Sequence, residues 1–227
     1  MKIVGSVTKS GGYAMIGRPE VQNVAALRGK KIGINSFGSS ADFAAYTAIS
    51  ASGLDPIKDV AFLPIGGSTP ERLAALASGA VDATVLTSPG EFNAEKQGFR
   101  TLVSMKELTK LVRIPVTGMA VAQKKIDKES DEIVRVLRAI RGATSMLQEQ
   151  PEYGISMFQR ILRLDAASAR EFYGLFRDQY NPELALPDST VEELLAVGTF
   201  RAKEKDKPRV SLQQVRDWTL AERARRP

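Results

Sequence analysis

Apolar residues in the first half of the chain follow two alternating patterns. Short apolar runs typical of strands are separated by segments in which apolar residues recur every three or four positions, as in helices. The runs predict strands at 1–7, 13–17, 31–34, 60–65, 79–86 and 100–105, a helical turn at 21–27, and helices at 42–52, 71–78 and 88–97. Because strands and helices alternate from residue 31 to residue 105, we predict an α/β fold with a mostly parallel sheet and helices on both faces.

The second half is predominantly helical. After a predicted loop that contains Lys106, Lys110 and Arg113, and a strand at 117–123, the periodicity predicts helices at 131–150, 153–163, 166–180 and 190–202, with Trp218 on a last helix. The helix at 131–150 is amphipathic. Its predicted inward residues are Ile133, Val136, Leu137, Ile140, Ala143 and Leu147. Aromatic residues recur at helical spacing and indicate core packing rather than a cofactor site: Tyr153, Phe158, Phe172, Tyr173 and Phe176.

Three polar turns follow predicted strands, at 36–40, 66–69 and 87–88. The carboxyl ends of parallel strands meet at one edge of a sheet, where ligands of such folds bind. The first and second turns lead into helices, whose N-terminal N–H groups attract anions, and Thr69 is the predicted N-cap of the second. Capping alone would also explain Ser39 or Ser40, but three polar turns at one edge favour a binding site. The candidate ligand-binding residues are Asn35, Ser36, Gly38, Ser39, Ser40, Gly67, Ser68, Thr87 and Ser88.

The amino-acid composition limits the kinds of site that this sequence can form. The 227 residues include neither cysteine nor histidine, which excludes disulfides, thiolate chemistry, a Ser-His-Asp triad and the commonest zinc ligand from this sequence. We therefore expect no catalytic residue, no cofactor and no bound metal. The formal net charge is +6, with much of the excess at 201–209 and 222–227. Acidic residues interrupt the first of these segments and no aromatic platform accompanies either, so we predict solvated surface rather than nucleic-acid binding.

Several segments carry a family resemblance, in a fixed order along the chain. They are the run from Val24 to Ile34, the Ser36–Ser40 turn, Gly53-Leu-Asp-Pro with Asp59-Val60, Ala75 to Ala83, and Gln150-Pro151-Glu152. Together they resemble the solute-binding proteins of nitrate, sulfonate, taurine and thiamine-precursor ABC importers. The resemblance implies the type II periplasmic binding protein fold, in which two lobes close on a small anionic or zwitterionic solute in an interlobe cleft. It also implies an ABC permease as membrane partner and a periplasmic or extracytoplasmic location.

The resemblance assigns residues 31–116 to a complete second lobe, and residues 1–30 and 117–227 to a first lobe. Members of the family begin with a signal peptide and a further βαβα segment, and neither matches the start of this sequence. We therefore expect an incomplete first lobe. Unpaired strand edges and uncovered apolar faces in such a lobe favour self-association of the isolated chain.

Two other functions share this scaffold. Pyrimidine-precursor synthases depend on histidine and a cysteine-rich motif, which this sequence lacks, whereas a dehydratase-like enzyme needs only placed polar groups. The other function, besides these enzymes, is the effector-sensing domain of a transcription regulator, although no helix-turn-helix pattern precedes the first strand. The leading prediction is a solute-binding protein that is not an enzyme.

Overall fold

The computed structural model describes residues 1–66, 68–115, 117–197, 200–201 and 210–226. In these residues the strands are β1 (Lys2–Ser6), β2 (Tyr13–Gly17), β3 (Lys31–Ile34), β4 (Ala61–Pro64), β5 (Ala83–Thr87), β6 (Arg100–Val103) and β7 (Gly118–Val121). The α-helices are α1 (Ser40–Ala51), α2 (Thr69–Ala77), α3 (Gly90–Lys96), α4 (Met105–Leu111), α5 (Gln123–Glu149), α6 (Pro151–Leu162), α7 (Ala166–Phe176), α8 (Asp188–Val197), α9 (Leu212–Val215) and α10 (Thr219–Arg225). Short 3-10 helices form at Val24–Leu27 and Arg177–Gln179.

The chain forms two compact units. One, which we call the sheet unit, comprises Gly12–Val112 and Val197–Arg201. The other, the helical unit, comprises Met1–Gly11, Arg113–Ala196 and Ala202–Pro227. The lobes predicted from the sequence differ from these units in the placement of residues 12–30, 113–116 and 197–201. Residues 12–30 join the sheet unit because β2 belongs to the sheet that also contains β3.

The sheet unit is built on five strands in the order β4-β3-β5-β2-β6. Strand β3 pairs in parallel with β4, with Ile32 opposite Phe62, and in parallel with β5, with Ile32 opposite Ala83. Strand β2 is antiparallel to both β5 and β6. The predicted α/β class is confirmed, but the sheet is mixed rather than mostly parallel. Fully buried side chains from the strands and α2 form its core: Met15, Ile16, Ile32, Ile34, Leu76 and Leu86.

Helix α4 was not predicted, since the segment after residue 105 was assigned to a loop. Its start is nevertheless encoded locally. Ser104 is the N-cap and its hydroxyl accepts from the backbone N–H of Glu107, while the Glu107 carboxylate accepts from the backbone N–H of Ser104 at 2.9 Å. This reciprocal capping box satisfies two donors that would otherwise lack acceptors, and it begins a helix whose buried residues are Met105 and Leu108.

In the helical unit, β1 and β7 form an antiparallel pair and helices supply most of the rest. Helix α5 begins eight residues before the predicted start, but the backbone of Glu129 is non-helical and separates a short first segment from the long helix. Side chains of α5 and α10 share one apolar cluster with β1, including Val4, Ile133, Leu137, Leu220 and Ala224. On α6 and α7, Phe158 contacts Phe172 edge-on at 4.8 Å between ring centroids, and Phe172 stacks on Phe176 at 4.4 Å.

Two predictions about buried faces need correction. Val136 is 42% exposed and Ala143 is also exposed, whereas both were placed on the inward face of the long helix. The buried stripe runs instead through Ile133, Val134 and Leu137, rotated toward α10. Of the aromatic residues predicted to be core, Tyr153 is 44% exposed and the other four are buried.

The corrected helix face gives a direct test. Leu137→Ala removes a fully buried side chain from the α5–α10 cluster and should lower the free energy of unfolding by about 2 to 5 kcal/mol. The neighbouring Val136→Ala changes an exposed residue and should alter it by less than about 0.5 kcal/mol. Urea titrations of the two variants measure the difference. Equal losses in both would mean that the face is assigned wrongly.

Candidate functional site

The strand pairing brings the three polar turns to the same edge of the sheet. Because β4, β3 and β5 are adjacent and parallel, their carboxyl ends point the same way. The turn after β3 therefore lies between the turn that follows β4 and the turn that follows β5. This confirms the arrangement of the turns that the sequence predicted, while the role of their residues in binding remains a prediction. Of the candidate residues, Gly67 lies outside the described part of the chain.

The turn after β3 is held by its own polar groups. The Ser39 hydroxyl, at the N-cap of α1, accepts from the backbone N–H of Asp42 at 3.2 Å and lies 2.6 Å from Asn35 Oδ1 and 2.7 Å from the Ser36 carbonyl oxygen. The backbone N–H of Gly38 donates to Asp42 Oδ2 at 2.9 Å. Gly38 adopts a left-handed backbone with φ of 77°, a conformation that glycine tolerates best. These groups therefore build the turn.

Other donors of the same turn are free. In the described part of the chain, the backbone N–H groups of Ser40 and Ala41 have no acceptor. They belong to the first turn of a twelve-residue helix, where unpaired N–H groups and the helix dipole together favour a negative charge. The Ser36 side chain is exposed beside them.

Two buried residues that the sequence did not single out adjoin this turn. The Tyr13 hydroxyl lies 2.6 Å from Ser40 Oγ. Burial raises the pKa of Tyr13, while the hydrogen bond with Ser40 and the nearby charge of Arg72 act in the opposite direction. The phenol is thus protonated at neutral pH. The hydrogen bond between the Tyr13 and Ser40 hydroxyls uses the proton of one of them. The proton of the second hydroxyl can be donated to a ligand.

Arg72 supplies a buried positive charge near Tyr13. It is 3% exposed, and its Nε donates to the Val85 carbonyl oxygen at 3.0 Å and its Nη2 to Thr69 Oγ1 at 3.5 Å. Burial lowers the pKa of its guanidinium, although an arginine stays protonated at neutral pH. The sequence predicts that Arg72 lies on a helix but predicts no role for it, because no local pattern identifies an arginine whose side chain is buried.

The second and third turns use their hydroxyls differently from the prediction. The N-cap of α2 is Ser68 rather than Thr69, and the backbone N–H of Ser68 donates to the Glu71 carboxylate at 2.8 Å. In the third turn, the Ser88 hydroxyl donates to the buried carboxylate of Glu91 and lies 3.2 Å from Met105 Sδ. Thr87 ends β5 opposite Tyr13 and is half-buried. Ser88 therefore fixes the start of α3, and Thr87 lies beside the Tyr13–Ser40 pair.

A buried ion pair connects Arg201, far along the sequence, with the turn after β3. Asp42 is fully buried, and its carboxylate accepts from Arg201 Nε at 2.7 Å and from Arg201 Nη2 at 2.5 Å. Such a two-point contact matches the planar guanidinium fork to the carboxylate. The same guanidinium lies 4.8 to 5.3 Å from the ring centroids of four aromatic residues: Phe37, Tyr46, Phe62 and Phe200.

Arg201 corrects one expectation. Residues 201–209 were predicted to be solvated surface, but the Arg201 side chain is only 26% exposed and is paired with Asp42. Residues 202–209 lie outside the described part of the chain. The pair joins positions 159 residues apart, and no local pattern predicts a contact over that distance.

Comparisons with known proteins place the fold in context. The profile of the NMT1-like family matches residues 8–161, about two thirds of the chain. The chain belongs to the NMT1-like family. A comparison of this NMT1-like protein with curated sequences found no match.

Solved structures share the fold of this NMT1-like protein at low sequence identity. The periplasmic aliphatic sulphonate binding protein SsuA from Escherichia coli is 20% identical, with a TM-score of 0.70 over 97% of this chain and 74% of that one. The alkanesulfonate-binding protein SsuA from Xanthomonas axonopodis pv. citri bound to MOPS is also 20% identical, with a TM-score of 0.71 over 92% and 70%. The desulfurization enzyme DSZB is 15% identical, with a TM-score of 0.72 over 98% and 78%. These are structures of the type II periplasmic binding protein fold that the sequence predicted.

Two further observations concern metals and membranes. Across residues 1–226, with the gaps given above, no three aspartate or glutamate side chains come together as a potential metal site. None of the helices described in this NMT1-like protein combines the length and apolar character needed to cross a bilayer.

The buried ion pair predicts a specific mutational pattern. Arg201→Leu leaves the Asp42 carboxylate buried without its cation and should lower the free energy of unfolding by roughly 3 kcal/mol. Adding Asp42→Asn removes the stranded charge and should restore at least about 1 kcal/mol of that loss. Chemical denaturation of the two single variants and the double variant completes the cycle. A double variant less stable than Arg201→Leu would contradict the pairing.

Proposed function

We propose that this NMT1-like protein binds a small organic anion at the edge of the five-stranded sheet, as the solute-binding component of an ABC importer. The observation that carries the proposal is the first turn of α1, where the Ser40 and Ala41 N–H groups have no acceptor among the described residues and the Tyr13 and Ser40 hydroxyls lie alongside. Neighbours of the same fold that bind sulfonates support it.

The donor set suits an oxyanion head group. A sulfonate or carboxylate can accept from both backbone N–H groups and from one hydroxyl, and it sits at the positive end of the helix dipole. Arg72 adds positive charge near Tyr13, where it contacts Val85 and Thr69. The exposed ring of Phe37, 56% accessible beside the turn, offers an apolar surface to the carbon chain of a solute. We therefore favour a sulfonate, nitrate, taurine or thiamine-precursor type of ligand, with an organic sulfonate first.

The candidate residues divide by role. We assign direct contact to Ser40, Ser36 and Thr87, whose hydroxyls are not consumed in building the turns. Ser39, Asn35 and Gly38 hold the α1 turn in shape, and Ser68 and Ser88 hold the starts of α2 and α3. Tyr13 joins the proposed contact residues.

A permease partner and an extracytoplasmic location follow from the same proposal. A solute-binding component acts only by delivering its ligand to a membrane permease of the same importer. The structures of the E. coli and Xanthomonas proteins support this assignment at the level of the fold.

An enzyme on this scaffold is the second candidate, because DSZB shares the fold. These 227 residues contain no cysteine or histidine, and the groups near the edge that could move or stabilise charge include Tyr13, Glu91 and Arg72. Arg72 donates to the Val85 carbonyl oxygen and Glu91 accepts from the Ser88 hydroxyl, so both are already engaged. The open donors at α1 bind charge without needing a reaction, so we favour binding over catalysis.

Calorimetry with ethanesulfonate, taurine, nitrate and sulfate tests the proposal. We expect at least one organic sulfonate to bind, and Ser40→Ala to weaken that binding by about 1 to 3 kcal/mol through loss of a hydrogen bond to a charged group. Ser39→Ala should act mainly on stability, by about 1 kcal/mol, because its hydroxyl is the helix cap.

Ser52→Ala is the matched control. Ser52 follows the same helix at its other end, where its hydroxyl donates to the Ile49 carbonyl oxygen. This variant should leave the affinity unchanged. Equal weakening by Ser40→Ala and Ser52→Ala, or no binding of any anion in the panel, would count against the proposed site.

A further inference from the structure

A basic cavity lies in the helical unit, apart from the proposed solute site. It has a volume of about 420 Å³ and lies between α5 and α10. Its lining residues are Asp131, Val134, Arg135, Arg138, Arg223 and Arg226. The lining thus contains four arginines and one aspartate, and Val134 is the single apolar residue in it.

Helix geometry explains why the arginines converge. Arg135 and Arg138 are three residues apart on α5 and share one face of that helix. Arg223 lies in the last turn of α10, and Arg226 is the residue after that helix, where the backbone is extended. The two helices are held together beneath them by Val134, Leu137, Leu220 and Ala224 of the apolar cluster. The charges are therefore brought together by packing that does not depend on any ligand.

The contacts within the cavity leave most of the positive charge uncompensated. Arg223 Nη2 pairs with Asp131 Oδ1 at 2.5 Å, and Arg138 Nη2 donates to the carbonyl oxygen of Arg226 at 3.2 Å. The carbonyl oxygen carries no net charge. Like charges three or four residues apart on a helix repel one another, so the arrangement lowers stability unless an anion binds.

We infer that this cavity is a binding site for a small multivalent phosphate, such as a diphosphate or triphosphate. Arginine binds phosphate oxygens at two points, and a lining of arginine without lysine is suited to that geometry. The volume falls within the range of small-molecule sites. Val134 is the one apolar side chain in the lining, which disfavours an acidic peptide with hydrophobic anchors. The exposed side chains of Arg135, Arg138 and Arg226 leave the cavity accessible from solvent.

Titration calorimetry with inorganic pyrophosphate in low salt tests the inference. Arg135→Gln combined with Arg226→Gln should weaken binding by about a hundredfold, since each lost contact to a charged group is worth about tenfold in affinity. Pyrophosphate should also raise the melting temperature of the unsubstituted protein. Neither residue is in the apolar cluster, so the variant should remain folded, which circular dichroism checks.

The matched control is Arg160→Gln combined with Arg177→Gln. Both residues are exposed, belong to the helical unit and lie outside the cavity, and the net charge changes by the same amount. We expect less than about a twofold change in this control. Ser40→Ala should leave pyrophosphate binding intact, which separates this site from the proposed solute site.

Three results would overturn the inference. One is the failure of pyrophosphate to bind with a Kd below about 1 mM. Another is equal weakening in the cavity variant and the control, which would indicate a general effect of net charge. The third is sedimentation with vesicles that contain phosphatidic acid, without any binding of soluble pyrophosphate, which would assign the arginines to a lipid surface.

Discussion

The parallel pairing of β3 with β4 on one side and β5 on the other determines where everything else in the sheet unit lies. It aligns the carboxyl ends of three strands, and with them the starts of α1, α2 and α3. Most polar groups in these turns then serve to shape them, as the Ser39 cap and the Asp42–Arg201 pair show. The groups left over, in the first turn of α1, are held in a fixed arrangement before any ligand arrives, which reduces the ordering cost of binding.

Much of the fold follows from local patterns. Strand and helix alternation after residue 31 predicted β3 to β6 and α1 to α3, and the apolar periodicity predicted the long helix that ends at Glu149. The direction of a strand and its pairing partners do not follow from local patterns, because an apolar run such as Tyr13–Gly17 does not encode which strands it will pair with. Helix α4 was missed although its Ser104-x-x-Glu107 capping box was visible in the sequence. The exposure of Val136 depends on where α10 packs, which is a tertiary property.

The placement of the three polar turns at one edge of the sheet was predictable from the sequence, but the residues that contact these turns were not. The serine-rich turn after β3 indicated a helix start with free donors, and α1 begins there. Tyr13, Arg72 and Arg201 come from elsewhere in the chain and reach the region only through the sheet order and through a contact across 159 positions. The sequence also could not show that the Ser39 and Ser88 hydroxyls form hydrogen bonds with neighbouring side chains, since these bonds depend on the geometry of each turn.

Backbone amide exchange in the first turn of α1, followed by NMR with and without a bound alkanesulfonate, tests the central claim most directly. If the open N–H groups of Ser40 and Ala41 hold the head group, their exchange should slow by about tenfold or more on binding and their resonances should shift, because each gains a charged acceptor. The amide of Ser52, at the other end of the helix, should change little. Tight binding that leaves the Ser40 and Ala41 amides unchanged would contradict the account and place the ligand elsewhere in the molecule.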